Sequence, residues 1–211
     1  MNNVPLVARR VTLGYHVRLL SRCASGLRRL CLGLCALGFL VVIPANAQNG
    51  FPVLVGTVMK IVDGDTIDVQ LSSGPIRVRL HGVDTPERGQ PWGKESTAAL
   101  TALVMGKEVD IEPFSQDRYE RMIGIIFLGD VNVNLELVKR GHAWAYRQYM
   151  REEDSALCIN EAAARTAKKG LWASRERPVA PWEWRRKKTR AAPADYSRET
   201  AALCIAAIGK S

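Results

Sequence analysis

Two short stretches of this chain gather the residue types that phosphate chemistry needs. The first is Val62-Asp63-Gly64-Asp65-Thr66, and the second is Arg79-Leu80-His81-Gly82-Val83-Asp84-Thr85-Pro86-Glu87. A phosphodiester resists attack because its anionic oxygens repel nucleophiles. Cleaving it requires a cation, preorganised positive charge and a base for water. Asp63, Asp65 and Asp84 are hard oxygen donors of the kind calcium prefers, and beyond residue 47 only His81, His142, Cys158 and Cys204 remain, too few to build a zinc site. Glu87 follows a turn stiffened by Pro86 and is placed to polarise water, while Arg79 and Arg121 offer guanidinium forks to phosphate oxygens. Taken singly, Asp-Gly-Asp is an ordinary turn and an arginine in a strand is an ordinary surface partner. Their conjunction points to a metal-assisted phosphodiesterase.

The flanking pattern supplies elements to position these groups. Ile67, Val69 and Leu71 alternate with polar residues, as do Ile76, Val78 and Leu80, which is the period of half-buried strands. Ser72-Ser73-Gly74-Pro75 joins the two as a hairpin turn. Val53 to Val62 reads as a first strand, and Glu108 to Phe114 and Arg121 to Leu128 as two more. Helices are expected over Lys94 to Met105, stopped by Gly106, and over Asn134 to Arg140, stopped by Gly141. A third runs from Ser155 to Lys169, with Asp154 as candidate N-cap and Gly170 beyond its end. Five short strands with a helix inserted after the third predict an α+β fold, an OB-type barrel carrying helices.

The ends of the chain read differently. Residues 1–47 hold six arginines and no acid, then an apolar run from Leu30 to Ile43 and Ala45-Asn46-Ala47, the signature of a signal peptide cleaved after Ala47. The run of about 14 residues is short of the roughly 20 that span a bilayer. The chain has 30 basic and 21 acidic residues, net +9; without the six arginines 24 face 21, net +3. The high net charge is therefore largely an export feature and is no evidence for nucleic-acid binding. Export implies a periplasmic or secreted protein, with no membrane contact in the mature form.

Cys23, Cys31 and Cys35 leave with the signal, so Cys158 and Cys204 remain as a candidate disulfide in an oxidising compartment. The domain is expected over residues 48–174. From Arg175 the composition shifts to Pro178, Pro181, Trp182-Glu183-Trp184 and the basic run Arg185 to Arg190, a strap or linker. A short helical segment follows near Thr200 to Ile208. His81 and His142 lack a metal-ligand pattern and read as structural, as do Trp182 and Trp184, packing the strap onto the domain.

From about Val55 to Trp172 the chain resembles the staphylococcal nuclease family, the thermonucleases. By that resemblance Asp65 and Asp84 are the carboxylate calcium ligands, with the Thr85 carbonyl completing the protein set and Asp63 one layer behind. Glu87 is the general base, and Arg79 and Arg121 contact the phosphate. Asp117-Arg118-Tyr119-Glu120-Arg121 corresponds to the family's Asp-basic-Tyr-Gly-Arg segment, placing Arg118 and Tyr119 near a terminal phosphate or base. Tyr146 and Tyr149 are candidates for nucleotide stacking. Glu120 stands where the family has glycine, adding a charge and a Cβ before Arg121. The loop from Arg88 to Gly93 is shorter than in the secreted archetype.

These observations predict a calcium-dependent, monomeric nuclease acting on DNA and RNA, and the resemblance implies little sequence specificity and 3′-phosphate ends. The competing reading is a noncatalytic OB-fold module that binds single strands. The presence of Asp65, Asp84, Glu87, Arg79 and Arg121 together argues against it. A calcium-stabilised structural domain would not need two arginines beside the carboxylates.

Overall fold

The computed structural model describes residues 52–186 and 194–210; the expected signal peptide and the basic run beyond Arg186 lie outside them. Strands β1 (Leu54–Ile61), β2 (Thr66–Leu71) and β3 (Gly74–Leu80) form a meander. Their alternating pattern buries Val58, Ile67, Val69, Val78 and Leu80 completely or nearly so. After the two-residue strand β4 (Val83–Asp84) comes helix α1 (Gly93–Val104), then β5 (Glu108–Gln116) and β6 (Met122–Leu128). The sheet order is β3-β2-β1-β5-β6, and a parallel pairing of β3 with β6, from Val78↔Met122 to Leu80↔Gly124, closes it into a five-stranded barrel. Closure removes the exposed edges that an open sheet would leave. A short strand β7 (Val131–Asn132) extends β6 as a sixth member.

Helix α2 (Val133–Lys139) begins at Asn132, whose side chain accepts from the Leu135 amide. Next to it the buried Asn134 ties the closure together. Its Nδ2 donates to the His81 carbonyl at 2.9 Å and its Oδ1 accepts from the Ile126 amide at 3.1 Å. Strand β8 (Trp144–Ala145) then pairs with β4. Helix α3 (Ser155–Thr166) packs on α2, with Leu157, Cys158 and Ala164 buried.

Asp154 sits at the N-cap position of α3 but does not cap it. Its carboxylate instead meets the His81 Nε2 at 2.8 Å and accepts from the Arg151 amide at 2.7 Å, a stronger pair of partners than one exposed helix amide. The helix also ends three residues before Lys169, because Lys168 and Gly170 take left-handed φ of 51° and 54°.

The expected strap contains a helix of its own, α4 (Pro181–Arg185), with proline in its first turn, where the missing amide costs nothing. It packs through a second apolar cluster of Trp144, Ala164, Leu171, Trp172 and Ala180, with Trp182 and Tyr196 against it. Helix α5 (Ala201–Ala206) falls inside the segment read as helical. It is joined to α3 by a Cys158–Cys204 disulfide with Cα atoms 5.6 Å apart.

Candidate active site

The hairpin register brings the two acidic stretches together. Thr66 pairs with Arg79 across β2 and β3, so Arg79 faces the start of β2, and β4 turns Asp84 back toward the same point. The Arg79 fork reaches both acids: Nη1 donates to Asp65 Oδ1 at 2.6 Å and Nη2 to Asp84 Oδ1 at 3.0 Å. Asp65 and Asp84 are only 3 % and 1 % exposed. The second oxygen of Asp65 accepts from the Thr85 amide at 3.0 Å, which fixes Thr85 beside the pair. Gly64 permits this approach, since a Cβ there would lie 2.6 Å from the Thr85 Oγ1 and 3.0 Å from the Ser96 Cβ.

Burial pushes the Asp84 carboxyl up to about 6, against the pull of Arg185 and Arg79. Asp63, whose Oδ1 accepts from the Asp65 amide at 3.1 Å, is likewise pushed up to about 6, by burial first and then by the Asp65 charge. Burial opposes the charge on Arg79, but Asp65 and Asp84 outweigh it and raise its pKa. Two buried carboxylates converging with no His or Cys among them suit a hard cation. Among the described residues no cluster of three or more His, Cys, Asp or Glu has metal-site geometry. An ion here would rely on Asp65, Asp84, the Thr85 carbonyl and water.

Glu87 lies on the loop entering α1. Its amide donates to Gln90 Oε1 at 3.0 Å, and Gln90 Nε2 donates in turn to the Val179 carbonyl at 2.7 Å, tying the loop to the strap. Gly93 is required at the helix start, because a Cβ there would collide with the Glu87 carbonyl. Glu87 and Arg79 face a cleft of about 640 Å³ whose other wall is the β5–β6 hairpin with Arg118, Tyr119 and Arg121. Tyr146 and Tyr149 line its far end, with ring centroids 4.9 Å apart. The cleft thus brings together the expected base, the arginines and the tyrosines, and its wall includes Asp63.

The hairpin wall departs from expectation in how Arg121 is held. Its Nε donates to Asp117 Oδ2 at 2.7 Å, and its guanidinium lies 5.5 Å from the Tyr119 ring centre, so it is tied within its own turn. Glu120 has φ of 62°, the left-handed region that favours glycine. The residue that stands where the family has glycine therefore adopts a backbone shape that glycine favours.

A family model described as staphylococcal nuclease homologue matches residues 77–174. An uncharacterized endonuclease of Escherichia coli O157:H7 is 42% identical over 134 residues, 63% of this chain and 86% of that protein. A micrococcal nuclease of Shigella flexneri is 39% identical over 140 residues, 62% of this chain and 80% of its own length. The chain belongs to the staphylococcal nuclease family. The protein ParB of Escherichia coli is also similar, at 38% identity over 160 residues, 72% of this chain and 88% of that protein.

In this staphylococcal nuclease homologue one contact was not legible in the sequence. Arg185, from α4, donates through Nη2 to Asp84 Oδ2 at 2.7 Å and through Nη1 to Glu87 Oε1 at 2.6 Å. Its partner Asp84 lies 101 residues earlier, and the stretch around it reads as a linker. The Trp-Glu-Trp-Arg composition was the only local hint. His81 stacks on Phe114 at 3.6 Å, and His142 accepts from Trp92 Nε1 at 3.4 Å, so both have structural partners. Trp182 does pack the strap, lying nearly parallel to Tyr146 at 5.3 Å.

Proposed function

We propose that this protein is a calcium-dependent nuclease that hydrolyses DNA and RNA phosphodiesters with little sequence specificity, leaving 3′-phosphate ends. One observation carries the reading: Asp65 and Asp84 converge on Arg79 beside a cleft that also presents Glu87 and the Arg118–Arg121 hairpin. The family is in general metal-dependent, and calcium is the ion that suits this all-oxygen donor set. The ion would be held by Asp65, Asp84 and the Thr85 carbonyl, and would offset phosphate charge.

The chain's own groups then divide the work. Glu87 removes a proton from water as the water oxygen bonds to phosphorus. Arg79 and Arg121 hold the equatorial oxygens through charge-assisted hydrogen bonds as their negative charge grows. The bond from phosphorus to the 5′ oxygen breaks, that oxygen takes up a proton, and the phosphate stays on the 3′ side. Tyr146 and Tyr149 give the neighbouring base a stacking face that does not depend on sequence, and Arg118 and Tyr119 meet the next phosphate. An export signal over residues 1–47 would deliver the enzyme as a monomer to the periplasm or the medium.

The test is to incubate the purified protein with single- and double-stranded DNA and RNA, with calcium or a chelator, and to identify the product ends. Cleavage with calcium, weaker cleavage with magnesium and 3′-phosphate products are expected. Full activity in chelator or a clear preference for zinc contradicts the reading. With two protein carboxylates only, calcium should bind in the range of roughly 0.1 to 1 mM.

A further inference from the structure

The mechanism above uses Asp84 and Glu87 but has no use for Arg185, the residue that holds them both. Its Nη2 lies 2.7 Å from Asp84 Oδ2, and its Nη1 lies 3.1 Å from Asp84 Oδ1 and 2.6 Å from Glu87 Oε1. Arg79 already takes Oδ1 of Asp84 at 3.0 Å, so both oxygens of that carboxylate are engaged by guanidinium groups. Asp84 is almost wholly buried, so the directions from which its oxygens can be approached are few. A cation bound to Asp84 and the Arg185 fork would need the same lone pairs and would repel each other across a few ångströms. The two compete for one carboxylate, three of whose roughly four acceptor positions guanidinium groups already take.

Arg185 is also the more exposed of the two arginines. Its side chain is 39 % exposed against 18 % for Arg79, and it sits on a five-residue helix rather than in the barrel. That helix is registered on the cleft by neighbouring groups. Trp182 stacks on Tyr146 and its Nε1 donates to the Tyr196 hydroxyl at 3.1 Å, while the Val179 carbonyl accepts from Gln90 on the Glu87 loop. The strap is therefore positioned to hold the guanidinium against the same two carboxylates.

We propose that Arg185 is a built-in competitor for the cation site, a strap-borne latch that keeps Asp84 and Glu87 paired until calcium displaces it. The latch rests on the calcium-nuclease reading above. Its consequence is that the strap, not the ligand set alone, determines how much calcium the protein needs. Reciprocity requires that calcium in turn loosen the strap.

Isothermal titration of calcium into the wild-type chain, Arg185→Gln and Arg185→Lys tests this without measuring cleavage. Arg185→Gln should bind calcium about 10-fold more tightly, within the usual range of coupling between two sites. Arg185→Lys, which keeps the charge and loses the fork, should fall between. Hydrogen exchange supplies a second readout: calcium should speed exchange of the α4 amides in the wild type and change it little in Arg185→Gln. Equal or weaker calcium binding in Arg185→Gln, with calcium binding intact in the wild type, would overturn the latch alone. No calcium binding in any of the three would overturn the calcium reading and the latch with it.

Discussion

Two clusters of ion pairs in this protein are built to opposite ends. Beside the cleft, Asp65, Asp84 and Glu87 are met by Arg79 and Arg185, three carboxylates against two guanidinium groups. Behind Trp144, Arg147 and Arg165 meet Glu161 and Glu199, two against two. The first borders the open cleft and holds one carboxylate more than its guanidinium partners, which suits it to take up a cation. The second is balanced and shut, since the Arg147, Arg165 and Glu161 side chains are no more than 12 % exposed. Surplus charge beside an opening makes a site, whereas neutrality in a sealed interior makes a brace.

The largest effect expected is from unbalancing the brace. Arg165→Ala removes Nη2, 2.8 Å from Glu161 Oε1, and the donor at 2.6 Å to the Glu199 carbonyl. Removing one partner of a buried pair costs about 3 to 5 kcal/mol, so a large drop in melting temperature should appear. A variant as stable as the wild type would show that the cluster is not a brace. Burial pushes the Glu161 carboxyl up to about 7 against the pull of Arg147 and Arg165. Because that value lies above the ordinary 4.5 of the unfolded chain, folding favours the protonated form, and its stabilising share is lost as pH rises from about 4.5 to about 7. Glu161→Gln should remove this slope. Melting curves of both proteins across that range check it, and parallel curves would refute it.

The disulfide belongs to the brace side and gives the next effect. The Cys204 Sγ lies 3.9 Å from Glu161 Oε2, and the crosslink spans 46 residues. Closing such a loop stabilises by up to about 4 kcal/mol in the chain-entropy model. The Cys158→Ser, Cys204→Ser double variant should melt lower while cleaving normally below its transition. Mass spectrometry of the unreduced protein reads the bond directly.

A change at the half-exposed Glu87 should spare stability and remove activity. Glu87→Gln is expected to cut turnover by at least about 100-fold, the usual scale of a general base, with fold and calcium binding intact. Near-normal turnover would sink the assignment. Arg79→Lys should also be costly, because one ammonium cannot bridge two carboxylates and a phosphate as a fork does. The smallest effect is at the hairpin. Glu120→Gly should stabilise by about 1 kcal/mol by relieving the left-handed backbone, and denaturant titration would show no gain if that strain is absent.

Much of the cleft was legible because its parts are local. The period-two alternation around Ile67 and Val78 fixes which faces are buried, and a tight turn at Ser72-Ser73 fixes the register. Together they place Arg79 opposite Thr66, next to Asp65, with no long-range information. The helix within the strap and its reach into the cleft were not legible, for the converse reason. A helix of five residues leaves almost no periodic signal, and its stability comes from Trp182 packing on residues far back in the chain.

The sequence by itself determined the barrel strands, the acidic and basic residues of the cleft and their family, because alternation and short spacings act between neighbours along the chain. The tertiary structure alone decided that Asp154 serves His81 rather than its helix, that Arg121 is tied to Asp117, and that Arg185 returns across 101 residues to Asp84 and Glu87. Each of those outcomes is a choice among competing partners. Which partner wins depends on burial and distance, and these exist only once the chain has folded.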